Sequence, residues 1–313
     1  MVKSSDKIAV CSRSFSNNSH LKKELCKNYK NVSFNKTKTL RDNDLIRFLK
    51  DKDKAIIGLE KIDKEIIDNL PKLKVISKFG VGLNNIDLEY LKFKKIKLGW
   101  EPGVNKRSVS ELSLCLILNS IRKITLNQSD LFNKKWNQTI GSDLTNSTIG
   151  IIGCGNVGQD LIKLLKPFQC KIYVHDIKSY KNFYSKYNII PTSLNFLLKN
   201  SDIISIHTPL NKSTINLLNK KNLKFLKPNS SLINTARGGI INEDDLYNFL
   251  NKNKFNSASD VFINEPNINT KLIKLKNFFA TPHIAGSTIE SILKMGRSAI
   301  RGLNINAVPR KDL

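Results

Sequence analysis

Cysteine is scarce in this chain and odd in number: Cys11, Cys26, Cys115, Cys154 and Cys170, with no C-x-x-C pair among them. That excludes a disulfide framework and a thiolate metal centre; the expectation is reduced thiols, no metal and a cytoplasmic location. Acidic residues are few as well, 26 against 52 lysines and arginines, for a formal net charge of +26. No apolar run approaches the roughly 20 residues that span a bilayer. The opening Met1-Val2-Lys3-Ser4-Ser5-Asp6 runs straight into a strand pattern without a secretory core. A membrane partner is therefore not expected. The positive excess invites a nucleic-acid reading, but the lysines are spread along the whole length beside abundant asparagine. A recognition surface would cluster arginines with stacking aromatics. The charge reads instead as codon bias, with only loose attraction to polyanions at low salt. What remains, at 313 residues with 40% hydrophobic and 25% charged, is a globular chain long enough for two cores.

The segment that is most informative is Gly153-Cys154-Gly155-Asn156-Val157-Gly158. It follows an apolar run over 148–152 and leads into a helical pattern over 159–166, which Pro167 stops. A second apolar run, 171–175, ends in Asp176. A lone G-x-G-x-x-G is weak, but strand, turn, helix, strand and terminal acid together predict a dinucleotide site; the alternative is a packing turn beside a surface acid. The glycines permit a tight turn, close approach of a pyrophosphate and close helix–strand packing, while the helix N-terminus supplies N–H groups to the anion. Asp176 suits the ribose hydroxyls and repels a 2′-phosphate. Lys178 softens that repulsion, so NAD is expected and NADP stays open.

Strand patterns over 7–10, 55–57, 73–77 and, more weakly, 32–34 alternate with helical patterns over 21–28, 43–50 and 64–70, the signature of a parallel α/β unit. A long amphipathic helix is expected to open at the capping-box spacing Ser108-Val109-Ser110-Glu111, followed by a polar arm over 125–146 that carries Trp136. Six strand candidates follow: 148–152, 171–175, 202–206, 230–234, 256–260 and 278–281. A second capping box, Ser287-Thr288-Ile289-Glu290, opens a last helix expected to pack on the N-terminal unit. The expected fold is α/β, with two Rossmann-like doubly wound domains, 1–103 plus 287–313 and 104–286. The first is discontinuous, and the active site is expected in the cleft between them.

Ligands of open α/β sheets bind beyond the carboxyl ends of the strands. Arg237 follows the strand candidate 230–234, Glu265 follows 256–260 and His283 follows 278–281. The fork of an arginine suits a carboxylate, and a histidine titrating near neutrality can exchange a proton with an alcohol as hydride leaves. A neighbouring carboxylate would orient the histidine and favour its charged form. Taken singly, Arg237 reads equally as a salt-bridge arginine and Glu265 as a turn acid. His207, in His207-Thr208-Pro209-Leu210, also ends a strand. On the residues alone both His207 and His283 stand as the acid/base, while His20 and His175 read as surface and packing residues. Asp260 suits a hydrogen bond to a nicotinamide carboxamide.

With Asn234-Thr235-Ala236-Arg237-Gly238-Gly239, Asp260-Val261-Phe262-Ile263-Asn264-Glu265-Pro266 and Pro282-His283-Ile284-Ala285-Gly286 in this order, the chain resembles the D-isomer-specific 2-hydroxyacid dehydrogenases. The likeness runs from Gly80-Val81-Gly82 to the last helix. It implies Arg237, Glu265 and His283 as the catalytic set, and Gly80, Val81 and Gly82 as N–H donors to a substrate carboxylate. The cofactor site would comprise Gly153, Gly155, Asn156, Val157, Gly158 and Asp176 with His207, Thr208, Pro209, Thr235, Ala236, Asp260 and Gly286. Hydride would pass between nicotinamide and C2 of a D-2-hydroxyacid. Gly286-Ser287-Thr288 looks most like the phosphoglycerate dehydrogenase branch, with Arg13 and Lys61 as candidate phosphate contacts. The expected substrate is thus 3-phosphoglycerate, with glyoxylate, hydroxypyruvate or another short 2-keto acid as the alternative. A non-enzymatic NAD-sensing partner protein of the same architecture is the rival of a different class. A homodimer built on the long helix and the arm is also implied. Asn84, Ser110, Ser257 and Ser259 depart from the family pattern.

Overall fold

The computed structural model describes residues 4–252 and 255–310. The chain divides into two compact units, one made of its two ends, Met1–Asn105 with Ser287–Leu313, and one of Lys106–Gly286.

The first unit is a parallel sheet of five strands: β1 (Ser4–Val10), β2 (Tyr29–Phe34), β3 (Lys54–Ile57), β4 (Val75–Lys78) and β5 (Lys97–Gly99), in the order β2-β1-β3-β4-β5. This is a doubly wound order, in which the chain turns to opposite sides after β1. The central strands are buried on both faces, as parallel strands flanked by helices must be. One face packs on Leu45, Leu49, Ile66 and Leu91. The other is closed by helix Ser19–Asn28 and by helix Ile289–Gly302, whose Met295, Ala299 and Ile300 join Ile8, Phe15 and Leu21 in one core cluster. Ser77 on β4 donates its hydroxyl to the Ala299 carbonyl at 2.7 Å.

The second unit carries seven parallel strands: β6 (Thr148–Ile152), β7 (Lys171–His175), β8 (Ile190–Pro191), β9 (Ile203–Ile206), β10 (Ser231–Asn234), β11 (Asn256–Ser259) and β12 (Phe278–Ala280). Their order is β12-β11-β10-β9-β6-β7-β8. The strand order reverses between β6 and β9, which places the crevice of a dinucleotide-binding sheet at the carboxyl ends of those two strands. Ser257 on β11 satisfies its hydroxyl on the Leu232 carbonyl at 2.9 Å, which is how a polar residue is accommodated in this buried sheet.

Both predicted capping boxes are displaced. The long helix runs Lys106–Arg122 and begins two residues before Ser108. Ser108 donates to the Ala285 carbonyl and Ser110 to Asp160 at 2.6 Å, so both hydroxyls are spent on tertiary contacts. The last helix is capped by Thr288, not Ser287, through the Ser291 N–H at 3.1 Å. The expected arm contains a helix, Ile124–Phe132. Three-residue β5 and two-residue β8 are too short for a hydrophobic period to register.

Candidate active site

The turn after β6 is built for close backbone approach. Gly153 has φ +95°, and a Cβ there would stand 2.7 Å from the His207 carbonyl carbon and oxygen. Only glycine fits both that conformation and that contact. Gly155 differs, since nothing lies within 4 Å of a Cβ built on it. It precedes helix Asn156–Leu165, whose N-cap makes no side-chain hydrogen bond. Open space in front of a helix N-terminus is the shape and charge that a pyrophosphate requires. Asp176, at the end of β7, accepts the Cys154 N–H at 2.6 Å and the Lys178 N–H at 2.7 Å. Its carboxylate is thereby fixed to the glycine turn. The same helix is braced by Asp160, which takes Arg107 at 3.1 Å as well as Ser110. Ser110, a departure from the family pattern, thus has a partner.

His207 follows β9. Its Nε2 pairs with the Ser205 hydroxyl at 2.8 Å, while Nδ1 is buried without a partner among the described residues. Burial pulls its pKa down to about 3. The ring is held neutral near pH 7, and its remaining N–H is a far weaker acid than an imidazolium. Thr208 and Pro209 continue this loop, and the Pro209 carbonyl is held by the Thr214 hydroxyl at 2.6 Å.

After β10, the buried Asn234 ties the turn together, its amide donating to the Arg237 carbonyl at 3.0 Å and its oxygen accepting the Ala236 N–H at 3.0 Å. Asn234 carries this strand-end turn and was not singled out from sequence; asparagine's habit of bonding its own backbone was the available signal. Thr235 is buried against Ser113, hydroxyl to hydroxyl at 2.7 Å. The half-buried Arg237 directs Nη1 to the Ala236 carbonyl at 2.6 Å. Burial draws its pKa down, and the charge of Glu265 partly restores it.

His283 and Glu265 meet: Nδ1 and Oε2 are 2.6 Å apart. The other oxygen of Glu265 accepts the Phe262 N–H at 2.8 Å. The Glu265 hydrogen bond raises the His283 pKa above its ordinary value against an opposing contribution from burial. Burial pushes Glu265 up, but the His283 hydrogen bond, the Phe262 N–H and the nearby cations outweigh it and leave the carboxyl acidic. His283 has φ +54°, the left-handed region, where a residue other than glycine is held only at a cost in strain. The device that holds it is Asp260. This fully buried carboxylate accepts the Thr281 hydroxyl at 2.6 Å and the Ile284 N–H at 2.8 Å on one oxygen, and the Ala285 N–H at 2.9 Å on the other. Asp260, for which the sequence suggests a nicotinamide contact, also anchors the loop that presents His283. Gly286 closes that loop, half-buried.

In the first unit, Gly80 has φ +129°, and the Val81 carbonyl is tied to the Trp100 indole N–H at 2.9 Å. The N–H groups of Gly80, Val81 and Gly82 have no protein acceptor among the described residues. Arg13 is exposed after β1, and Lys61 is exposed and paired with Asp63 at 2.8 Å. No group of three or more metal-ligating side chains is found among the described residues.

A doubly wound sheet with a glycine turn and a strand-end acid at its switch point, and a carboxylate–histidine pair beyond β11 and β12, is the arrangement of a nicotinamide-dependent oxidoreductase. The family model of the D-isomer specific 2-hydroxyacid dehydrogenase NAD binding domain matches residues 114–285. A glyoxylate reductase of Thermofilum pendens is 37% identical over 83% of this chain and 80% of that protein. A D-3-phosphoglycerate dehydrogenase of Methanocaldococcus jannaschii is 33% identical over 80% of this chain and 49% of that protein. The crystal structure of a D-lactate dehydrogenase from Aquifex aeolicus, complexed with NAD and lactic acid, superposes with a TM-score of 0.84 at 25% identity, over 95% and 94% of the two chains. The chain belongs to the D-isomer-specific 2-hydroxyacid dehydrogenase family, NAD-dependent oxidoreductases acting on CH–OH groups.

Proposed function

We propose that the protein interconverts a 2-keto acid and its D-2-hydroxyacid with His283 as acid/base, Glu265 as its orienting partner and Arg237 as the cation that binds and polarises the substrate's carboxylate–carbonyl end. The 2.6 Å His283–Glu265 pair carries this reading. A histidine whose pKa is raised by a carboxylate retains a proton near neutral pH and can deliver it to the oxygen formed as hydride arrives at C2. NAD supplies the hydride chemistry. Gly155 and the N-terminus of helix Asn156–Leu165 would hold the pyrophosphate and Asp176 the ribose. Gly80, Val81 and Gly82 would donate N–H groups to the substrate carboxylate. The test is NADH oxidation against glyoxylate, pyruvate, hydroxypyruvate and 3-phosphohydroxypyruvate, with NADPH run alongside. Turnover of at least one keto acid is expected, with NADH bound about tenfold or more tighter than NADPH, a gap of about 1.4 kcal/mol set by repulsion at Asp176. NADH binding without turnover of any of them would overturn the enzymatic reading, and equal affinities would overturn the Asp176 assignment.

We also propose a homodimer. Phe132, Trp136 and Ile140, on and just after helix Ile124–Phe132, are 81%, 82% and 88% exposed, joined by Ile124 and Leu131. Large side chains concentrated in one stretch support an interface more than an ordinary surface. A doubled mass by light scattering at micromolar concentration is expected, with Trp136→Asp shifting the protein to monomer; a monomeric parent protein would refute this. The five cysteines are all free, which supports a reducing compartment such as the cytoplasm.

A further inference from the structure

We propose that Glu60 makes this protein select a 2-keto acid whose far end carries no phosphate, one the size of glyoxylate or hydroxypyruvate. The inference rests on the 2-keto acid reading above and concerns the first unit alone.

The order β2-β1-β3-β4-β5 opens its crevice at the carboxyl ends of β1 and β3, where the chain departs to opposite sides. Two loops meet there. A Cβ built on Gly58, after β3, would lie 3.2 Å from Ser12, after β1. Glu60 folds back into this junction. It is 2% exposed, and its Oε2 accepts the Gly58 N–H at 2.6 Å. The carbonyl of the same Gly58 accepts the Lys78 ammonium at 2.5 Å. Lys78, at the end of β4, is also buried and donates to Asn85 Oδ1 at 2.7 Å. The Asn85 amide returns to the Glu60 carbonyl at 2.6 Å. The Cε of Lys78 stands 3.6 Å from the place a Cβ on Gly80 would take, so the network lies against the loop whose N–H groups are proposed to receive the substrate carboxylate.

The charges decide what that loop accepts. A site for a phosphate dianion at these strand ends would present buried cations in excess. Here one buried ammonium and one buried carboxylate hold the two ends of a single residue, Gly58, and the ammonium's charge is offset within the protein. The remaining cations nearby, Arg13 and Lys61, are exposed, and Lys61 is occupied by Asp63. Cys11, just after β1, is fully buried, and its thiol is pushed well above its ordinary range by burial first and by neighbouring Glu60 second, so Glu60 lies close to the end of β1. A carboxylate out of water repels a phosphate far more than it would in bulk solvent, and a repulsive element is how a site rejects a competitor that shares its attractive contacts. A hydrogen or a CH2OH group at C2 meets no such penalty.

The experiment compares kcat/KM for glyoxylate, hydroxypyruvate and 3-phosphohydroxypyruvate in the parent protein and in Glu60→Gln, which retains an acceptor for Gly58 N–H and loses the charge. In the parent, the better unphosphorylated acid is expected to exceed 3-phosphohydroxypyruvate by about 100-fold or more, and Glu60→Gln to raise the phosphorylated substrate by about tenfold relative to it. Structural damage would lower all three together and would not produce that relative gain. A parent that turns over 3-phosphohydroxypyruvate as well as hydroxypyruvate overturns the proposal while leaving the 2-keto acid reading intact, and this comparison needs no variant to fold. An unchanged ratio in a folded Glu60→Gln protein that binds NADH normally overturns the role of Glu60. Turnover of pyruvate alone overturns the size and charge selection proposed here, and failure of all three substrates together with pyruvate overturns the enzymatic reading itself.

Discussion

His283→Ala is expected to lower turnover by about 10²–10⁴-fold, the span that a positioned general acid–base contributes. NADH affinity should change little, because the proposed pyrophosphate site lies at Gly153–Gly158, on another strand end. The companion variant, Glu265→Gln, separates the proton from mere packing. With Glu265 ionised, the His283 pKa is raised, and the protonated form needed for reduction persists to higher pH. Removing the charge lowers that pKa, so reductive activity should be lost at a lower pH than in the parent; a profile that moves upward or stays fixed would exclude the assignment. His207→Ala is the control. Its ring is already neutral near pH 7, so the expected consequence is weaker cofactor binding without a displaced pH limb. An active His283 variant beside a His207 variant that loses turnover at unchanged NADH affinity would mean that the proton belongs to His207.

Arg237→Ala is expected to reduce kcat/KM for the keto acid by about 10²–10³-fold, the loss that follows when a partly buried charge partner is truncated and the facing carboxylate is left unpaired. Arg237→Lys should recover only part of it, because an ammonium restores the charge but not the planar fork that grips a carboxylate at two points. The effect should fall on substrate, measured as KM and kcat together, with the NADH dissociation constant unchanged. Loss of NADH binding in a folded Arg237→Ala protein would instead make the residue a cofactor or structural contact, and a fall in kcat/KM of less than about threefold would remove it from the site.

Local chemistry makes some of this protein legible from its amino acids alone. Gly153-Cys154-Gly155-Asn156-Val157-Gly158 and Asp176 lie within one short strand–turn–helix–strand span, so their spacing already encodes a dinucleotide turn. Strands β3, β4, β6 and β9 register as apolar runs because both faces are buried. The family, the NAD requirement and the fold class follow from such contiguous signals. What sequence does not display depends on partners far along the chain. Ser108 and Ser110 look like helix caps but bond Ala285 and Asp160. Asp260 reads as suited to a nicotinamide carboxamide, and its bonds to Thr281, Ile284 and Ala285, which hold the loop of the left-handed His283, show only in the fold. Glu60 and Lys78 stand 18 residues apart, and only the alignment of β3 and β4 buries both against Gly58. A residue's charge and shape are local properties, whereas its desolvation and its hydrogen-bond partners are set only when distant strands come together; tertiary structure alone put Asp260 on the backbone of a distant loop and buried Glu60 against Gly58.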